Sequence, residues 1–511
     1  MSTRKIAKYD NTFKDRHDAY KGHGTHVAGI AAGRKSTYGS SDETGDADGI
    51  ARDAKIHFLD LKMGSGGMSD PGASRWFESI YNGGRGAKVM NGSWGRSGRP
   101  YSSHCANYDG ALFENDDVVM VTSAGNKGDG GPRTIKNPGD CKNTFAVGLT
   151  RSSGTTGGDS QVLNWSAKGP TADGRAKPDI LAPGYAVLSA NSNPYRTNEC
   201  DSSGGTRSSS GTSMAAPVVA GLAALTRQYF INGYYPNGYQ SYGQGFEPQA
   251  SLVKAVLMNG AQAVKAGQGI DSTRPHDSIQ NMGQVNLITS LPLDGANKIN
   301  AIVVNGKDIA DQASDEMVIR VDMTECDEAS ISVTMAYTDP AAFPGCGSCL
   351  VNDLDLTLTD EHGVKYYPNG LSKEDTKNSA ERIRLNSVSH NQKFLVKVKA
   401  SNLSRQSQKY SLVATGCIKE ESFVTPTEEP TQLPTYLPTN DPTGEPTSSP
   451  TNSPTDYPTG GPTQSPASTE QTAESRLSTS SVPTTKEPAQ TATTMAPRRN
   501  PIYNGWPDLI P

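Results

Sequence analysis

One stretch constrains this chain more than any other: Gly211-Thr212-Ser213-Met214-Ala215-Ala216-Pro217-Val218-Val219-Ala220-Gly221. It reads as a loop running into the first turn of a helix. The small residues let that helix approach its neighbours closely, and Pro217 suits a first turn, where its missing N–H has no intrahelical partner to lose. Ser213 then stands at the positive end of the helix dipole, beside unpaired backbone N–H groups. A hydroxyl so placed can attack a carbonyl while its own N–H holds the oxygen that becomes negative. The plain alternative is an N-cap serine, which needs no chemistry at all.

Two further stretches weigh on that choice. Gly22-His23-Gly24-Thr25-His26-Val27-Ala28-Gly29 puts a histidine, whose pKa suits a general base near neutrality, between glycines that free it to approach another segment. Val118-Val119-Met120-Val121-Thr122-Ser123-Ala124-Gly125-Asn126 reads as a buried strand ending in a glycine turn and an amide. An asparagine at the carboxyl end of a parallel strand can donate its NH₂ to a developing oxyanion. In the order His, Asn, Ser, these three stretches resemble the subtilisin-like serine peptidases, the subtilases. The resemblance implies a doubly wound α/β domain with a parallel sheet, and a serine endopeptidase acting on proteins or peptides. It further implies Ser213 as nucleophile, His23 as general base and Asn126 in the oxyanion hole. Asn91-Gly92-Ser93-Trp94-Gly95 matches the edge along which such enzymes lay their substrate, so Ser93, Trp94 and Gly95 are expected at the primary pocket. Core packing is the plain reading of Trp94. The chemistry requires no cofactor, and His23 with His26 forms no metal pair because no third ligand is spaced nearby.

One member of the family pattern is missing. Subtilases carry a catalytic aspartate in an Asp-Ser/Thr-Gly turn upstream of the histidine, and only Asp10, Asp15 and Asp18 precede His23. Asp10 is expected to end an edge strand over 5–9, and Asp18 to flank the substrate cleft. Nothing before Tyr20 reads as a signal peptide. The simplest expectation is an N-terminally truncated chain that folds poorly and turns over weakly, if at all. A rival reading is a non-catalytic secreted wall or matrix protein that keeps this scaffold for binding.

Alternation carries the chain onward through expected strands at 56–61, 87–90 and 144–148, and helices near 71–81, 109–115, 213–229 and 249–259, the last amphipathic. The segment 177–184 is expected to form scaffold turns, and 189–210 a polar insert. The catalytic domain should occupy 1–291. Over 298–418, short alternating strands such as Ile331, Val333, Met335 and Tyr337 argue a β-sandwich. Asp353, Asp355 and Asp360 offer hard oxygens suited to a structural Ca²⁺, against the alternative of a solvated strand face. From residue 425 to 511 a disordered tail is expected, with proline at every fourth position from Pro426 to Pro466. Such a stalk could attach the enzyme to a wall or matrix.

The net charge of −5 provides no basic field for nucleic acid, and no apolar run approaches the length of a membrane span. Seven cysteines fit a secreted, oxidising setting better than zinc. The favoured disulfides are Cys105–Cys141 and Cys326–Cys417, with Cys200 in the polar insert.

Overall fold

The computed structural model describes residues 5–421, except 11–17, 19–21, 35–46, 64–66, 69, 71, 80–85, 98–99, 153–160, 193–204, 265, 268–275 and 327. Asp15, Cys200 and the Pro-Thr tail lie outside the described residues.

Val119–Ser123 is buried along its whole length, as a strand covered on both faces must be. It pairs in parallel with Val89–Gly92 on one side and with Phe145–Arg151 on the other. Ile180–Tyr185 adds a further parallel strand beside Phe145–Arg151, in the register Val147 to Ile180. Two short strands, Gln161–Val162 and Ala266–Gly267, complete a six-stranded sheet. Because strand side chains alternate, Val119 and Val121 join one core with residues of the long helix after Gly211, whereas Met90 and Met120 join another. That second core holds Trp76, Phe77, Tyr108 and Leu112. The sheet is therefore wound on both faces.

Among the described residues five α-helices position the rest: α1 (His23–Ala32), α2 (Ala73–Phe77), α3 (Ser103–Glu114), α4 (Thr212–Ile231) and α5 (Ala250–Asn259). All ten residues of α5 are buried, so it is not the amphipathic helix its sequence suggested. Val253 and Leu257 face the parallel sheet, while Leu252 and Val256 face Ala336 and Val413 of the second layer system. A helix buried on every side needs cover on every side, and its polar Ser251, Lys254 and Asn259 are hydrogen-bonded to that cover. α4 is long and apolar enough to cross a membrane by length and composition, contrary to the expectation from the sequence, yet most of it is buried in the core described here.

Three further expectations need correction. The segment 177–184 is not merely a set of turns: Ile180–Tyr185 is a strand, and its Pro183 and Gly184 masked an otherwise apolar run. The strand expected over 56–61 is Ile56–Leu59, half-buried and, among the described residues, paired with Ile6–Asp10 in a separate two-stranded sheet. The polar insert begins and ends as a hairpin, Val187–Ala190 against Thr206–Ser209.

The β-sandwich is present. Asn300–Ala310, Ser407–Gly416, Ile331–Tyr337 and Ala380–Leu385 form one sheet; Lys365–Tyr366, Asp353–Asp360, Lys393–Asn402, Ser314–Val321 and Ile418–Glu421 form the other. Leu354, Leu356, Leu358, Val396, Leu412 and Val333 fill the space between them. Polar bonds seat this sandwich on α5: Asn259 donates to Thr415 Oγ1 at 2.7 Å and accepts from Thr334 Oγ1 at 2.9 Å. A buried ion pair, Lys142 with Asp339, crosses the same boundary. Cys105–Cys141 and Cys326–Cys417 are bonded as expected, and Cys346–Cys349 forms a third disulfide.

Candidate active site

α4 begins one residue before Ser213, earlier than its proline implied, so Pro217 lies inside the helix rather than in its first turn. A proline there removes the N–H that would bond the carbonyl four residues back, which is that of Ser213. The vacated carbonyl has another partner: Ser93 Oγ donates to Ser213 O at 2.8 Å. In return Ser213 Oγ donates to Ser93 O at 3.3 Å. Asn91 Nδ2 donates to Ser93 Oγ at 3.0 Å. Pro217 thus makes room for the tie that joins the Ser93–Gly95 segment to Ser213.

Asn126 reaches the same loop. Its Oδ1 accepts from Thr212 N and from Thr212 Oγ1, both at 2.9 Å, and Thr212 Oγ1 accepts from Gly125 N at 3.0 Å. These bonds fix which way the amide points, because the oxygen is committed to two donors. The NH₂ is left on the other side. A Cβ added at Gly211 would lie 3.3 Å from Asn126 Nδ2 and 3.6 Å from Ser213 N, so two N–H donors flank one point beside the serine. Thr212, which the sequence reading passed over, is the residue that holds this arrangement.

His23 is the first residue of α1, after Gly22 in the left-handed conformation, φ 68°. Asp18 Oδ2 accepts from Thr25 N at 2.7 Å, so its carboxylate sits at the positive end of α1. Burial holds the His23 imidazole below its ordinary pKa; Asp18 opposes that shift and Arg207 adds to it. His26 is fully buried, and its Nε2 donates to Arg207 O at 3.0 Å. Ser189 Oγ donates to His26 O at 2.9 Å. The hairpin therefore clasps the start of α1, and its second strand leads straight into Gly211. α1 and α4 cross closely: a Cβ added at Gly221 would lie 3.0 Å from Ala31 O.

Trp94 is half-buried against the core of Trp76 and Tyr108, edge-on to His104 at 6.5 Å between ring centres. Asp355 is buried, and both Asp353 and Asp355 carry a carboxylate oxygen without a hydrogen-bond partner. Burial and the neighbouring carboxylates raise Asp353 to about 7. Asp360 stands at the opposite end of that strand. Its carboxylate is committed to His362 N at 3.0 Å, Val364 N at 2.9 Å and Tyr366 Oη at 3.2 Å, so it does not converge with the other two.

The doubly wound sheet thus brings a serine at a helix start and an amide just beyond a strand end to the same loop. The chain belongs to the subtilase family, whose model matches residues 2–282. Among its relatives, the serine protease/ABC transporter B family protein tagD of Dictyostelium discoideum is 26% identical over 503 residues, covering 74% of this chain and 27% of tagD. The chain thus spans about a quarter of that relative's length. Serine protease AprX of Bacillus subtilis is 38% identical over 116 residues, 22% of this chain and 26% of AprX. The solved structure of the prenylagaramide maturation protease PagA is 24% identical with a TM-score of 0.39, covering 56% of this chain and 91% of PagA.

Proposed function

We propose that this chain is a serine endopeptidase in which Ser213 forms the acyl-enzyme. His23 takes the Ser213 proton and returns it to the leaving amine. Asn126 Nδ2 and Ser213 N–H hold the oxyanion. Ser93, Trp94 and Gly95 line the primary pocket and pair with the substrate as an edge. The observation that carries this reading is the commitment of Asn126 Oδ1 to Thr212, which turns the amide NH₂ toward the serine. The close crossing of α1 and α4 adds support, since Ala31 and Gly221 lie about two turns beyond His23 and Ser213. The hairpin that binds His26 and then enters Gly211 supports it too.

Turnover should be slow. The imidazolium formed during attack needs a carboxylate; Asp18 favours it electrostatically, while its Oδ2 is shared with the Thr25 N–H at 2.7 Å. In subtilisin, removing the carboxylate that orients the histidine costs roughly 10⁴-fold, which sets the upper scale of the shortfall. The three disulfides support an extracellular setting. Asp353 and Asp355, without Asp360, are the residues that would take part in any structural Ca²⁺ site. A fluorophosphonate probe followed by peptide mapping tests the proposal: slow, specific modification of Ser213, absent in Ser213→Ala, is expected. Equal labelling of parent and Ser213→Ala would defeat it.

A further inference from the structure

Lys136 lies where the walls of the proposed substrate slot meet. Its N–H donates to Ala124 O at 2.8 Å, and the next residue, Asn137, exchanges backbone bonds with Arg96 at 3.0 and 3.1 Å. The segment thus runs between the end of the Asn126 strand and the Ser93–Arg96 segment, as a floor joins two walls. The Lys136 stem passes between two glycines. A Cβ added at Gly95 would lie 2.8 Å from Lys136 Cβ, and one at Gly125 would lie 2.5 Å from Lys136 Cγ. Glycine at both positions is what gives this stem its room; Gly125 also has φ +113°, which side chains rarely adopt.

At the end of the stem, Lys136 Nζ makes a long 3.5 Å contact with Ser97 Oγ. Among the described residues no carboxylate pairs with it, although neighbouring cations do find partners: Arg96 is 3.4 Å from Asp70, and Lys168 donates to Asn164 Oδ1 at 2.9 Å. Arg96, still more than half exposed, brings a second positive charge to the same rim. A weakly held ammonium with its stem fixed between the slot walls is poised to receive a carboxylate, with which it would form a charge-assisted bond.

We propose that Lys136 sets the primary specificity of this site, and that the favoured substrates carry aspartate or glutamate immediately before the scissile bond. The inference rests on the protease reading above and adds a substrate class to it. Glutamine has the shape of glutamate without its charge, so the pair isolates the effect of Lys136.

The test uses binding, which needs no turnover. The full chain carrying Ser213→Ala is titrated with fluorescent peptides that differ only in a C-terminal Glu or Gln, followed by anisotropy. The Glu peptide should bind roughly tenfold tighter at low salt, with the ratio shrinking as ionic strength rises. Adding Lys136→Gln should bring the ratio to about one, adding Lys136→Arg should preserve it, and adding Lys136→Glu should shift preference to a peptide ending in Lys. Equal affinity for the two peptides, a preference that survives Lys136→Gln, or no binding of either at millimolar concentration would overturn the proposal. Failure of the protease reading itself would show separately, as absence of fluorophosphonate labelling at Ser213 in the unsubstituted chain.

Discussion

Replacing Ser93 with alanine is predicted to cost stability by an amount that depends on residue 217. In the native chain Ser93 Oγ is the donor to Ser213 O at 2.8 Å, because Pro217 has no N–H to give. It is also the acceptor for Asn91 Nδ2 at 3.0 Å. Ser93→Ala therefore strands two polar groups, and each buried group left unpaired costs about 1–3 kcal/mol. Taking the lower half of that range, Ser93→Ala should destabilise by about 2–4 kcal/mol. In a Pro217→Ala background the new N–H can reach Ser213 O along the helix, so only the Asn91 amide is stranded and the cost should fall to about 1–2 kcal/mol. The coupling in a double-mutant cycle is then about 1–2 kcal/mol. Equilibrium urea unfolding followed by tryptophan fluorescence measures all four chains. A Ser93→Ala cost that is the same within about 0.5 kcal/mol in both backgrounds would refute the reasoning.

Three other expectations follow from the same geometry. The His23 pKa lies below 6.5, so the base is neutral at pH 7; the acid limb of the Ser213 labelling rate should fall below pH 6.5, and a midpoint above 7 would contradict that. His26 is buried neutral with a pKa lowered to about 4, so between pH 6.5 and 4 the unfolded chain binds a proton that the folded one refuses; stability should fall over that window by about 3 kcal/mol, absent in His26→Gln if that chain folds, as read by urea midpoints against pH. Asp353 has its pKa raised to about 7 from an ordinary carboxyl value near 4, so its ionisation lowers stability as pH rises across that window and the loss is complete above 7; Asp353→Asn should raise the melting temperature at pH 8 and change it little near pH 3.5, whereas a calcium-dependent loss of stability in that variant would identify the carboxylate as a ligand.

Much of this was readable in the chain, because motif and alternation act over short distances. The glycines around His23, the strand ending at Asn126 and the small-residue run after Gly211 each announced their local structure. The sandwich strands followed period two, and Leu354, Leu356 and Leu358 all turn inward. Other features depended on distant partners. Thr212 holds Asn126 through contacts that span 86 residues, which no local pattern encodes. Pro217 looked like first-turn punctuation, and its effect on Ser213 emerges only once Ser93 is seen beside it. Pro183 and Gly184 hid a strand that is buried because Phe145–Arg151 lies alongside. α5 seemed amphipathic until the sandwich supplied a second apolar surface. Lys136 gave no signal at all, since its meaning comes from glycines on two other segments.

The central claim is that Ser213, His23 and Asn126 act on one carbonyl carbon. Prolonged incubation with a fluorophosphonate, with the rate of Ser213 modification measured in the parent, His23→Ala and Asn126→Ala, tests it most directly. The account predicts a single adduct on Ser213 whose rate of formation falls at least about tenfold in each variant, the size expected on removing a general base or an oxyanion donor. Modification that proceeds equally fast without the imidazole and without the amide, or none on Ser213 in the folded parent, would contradict it.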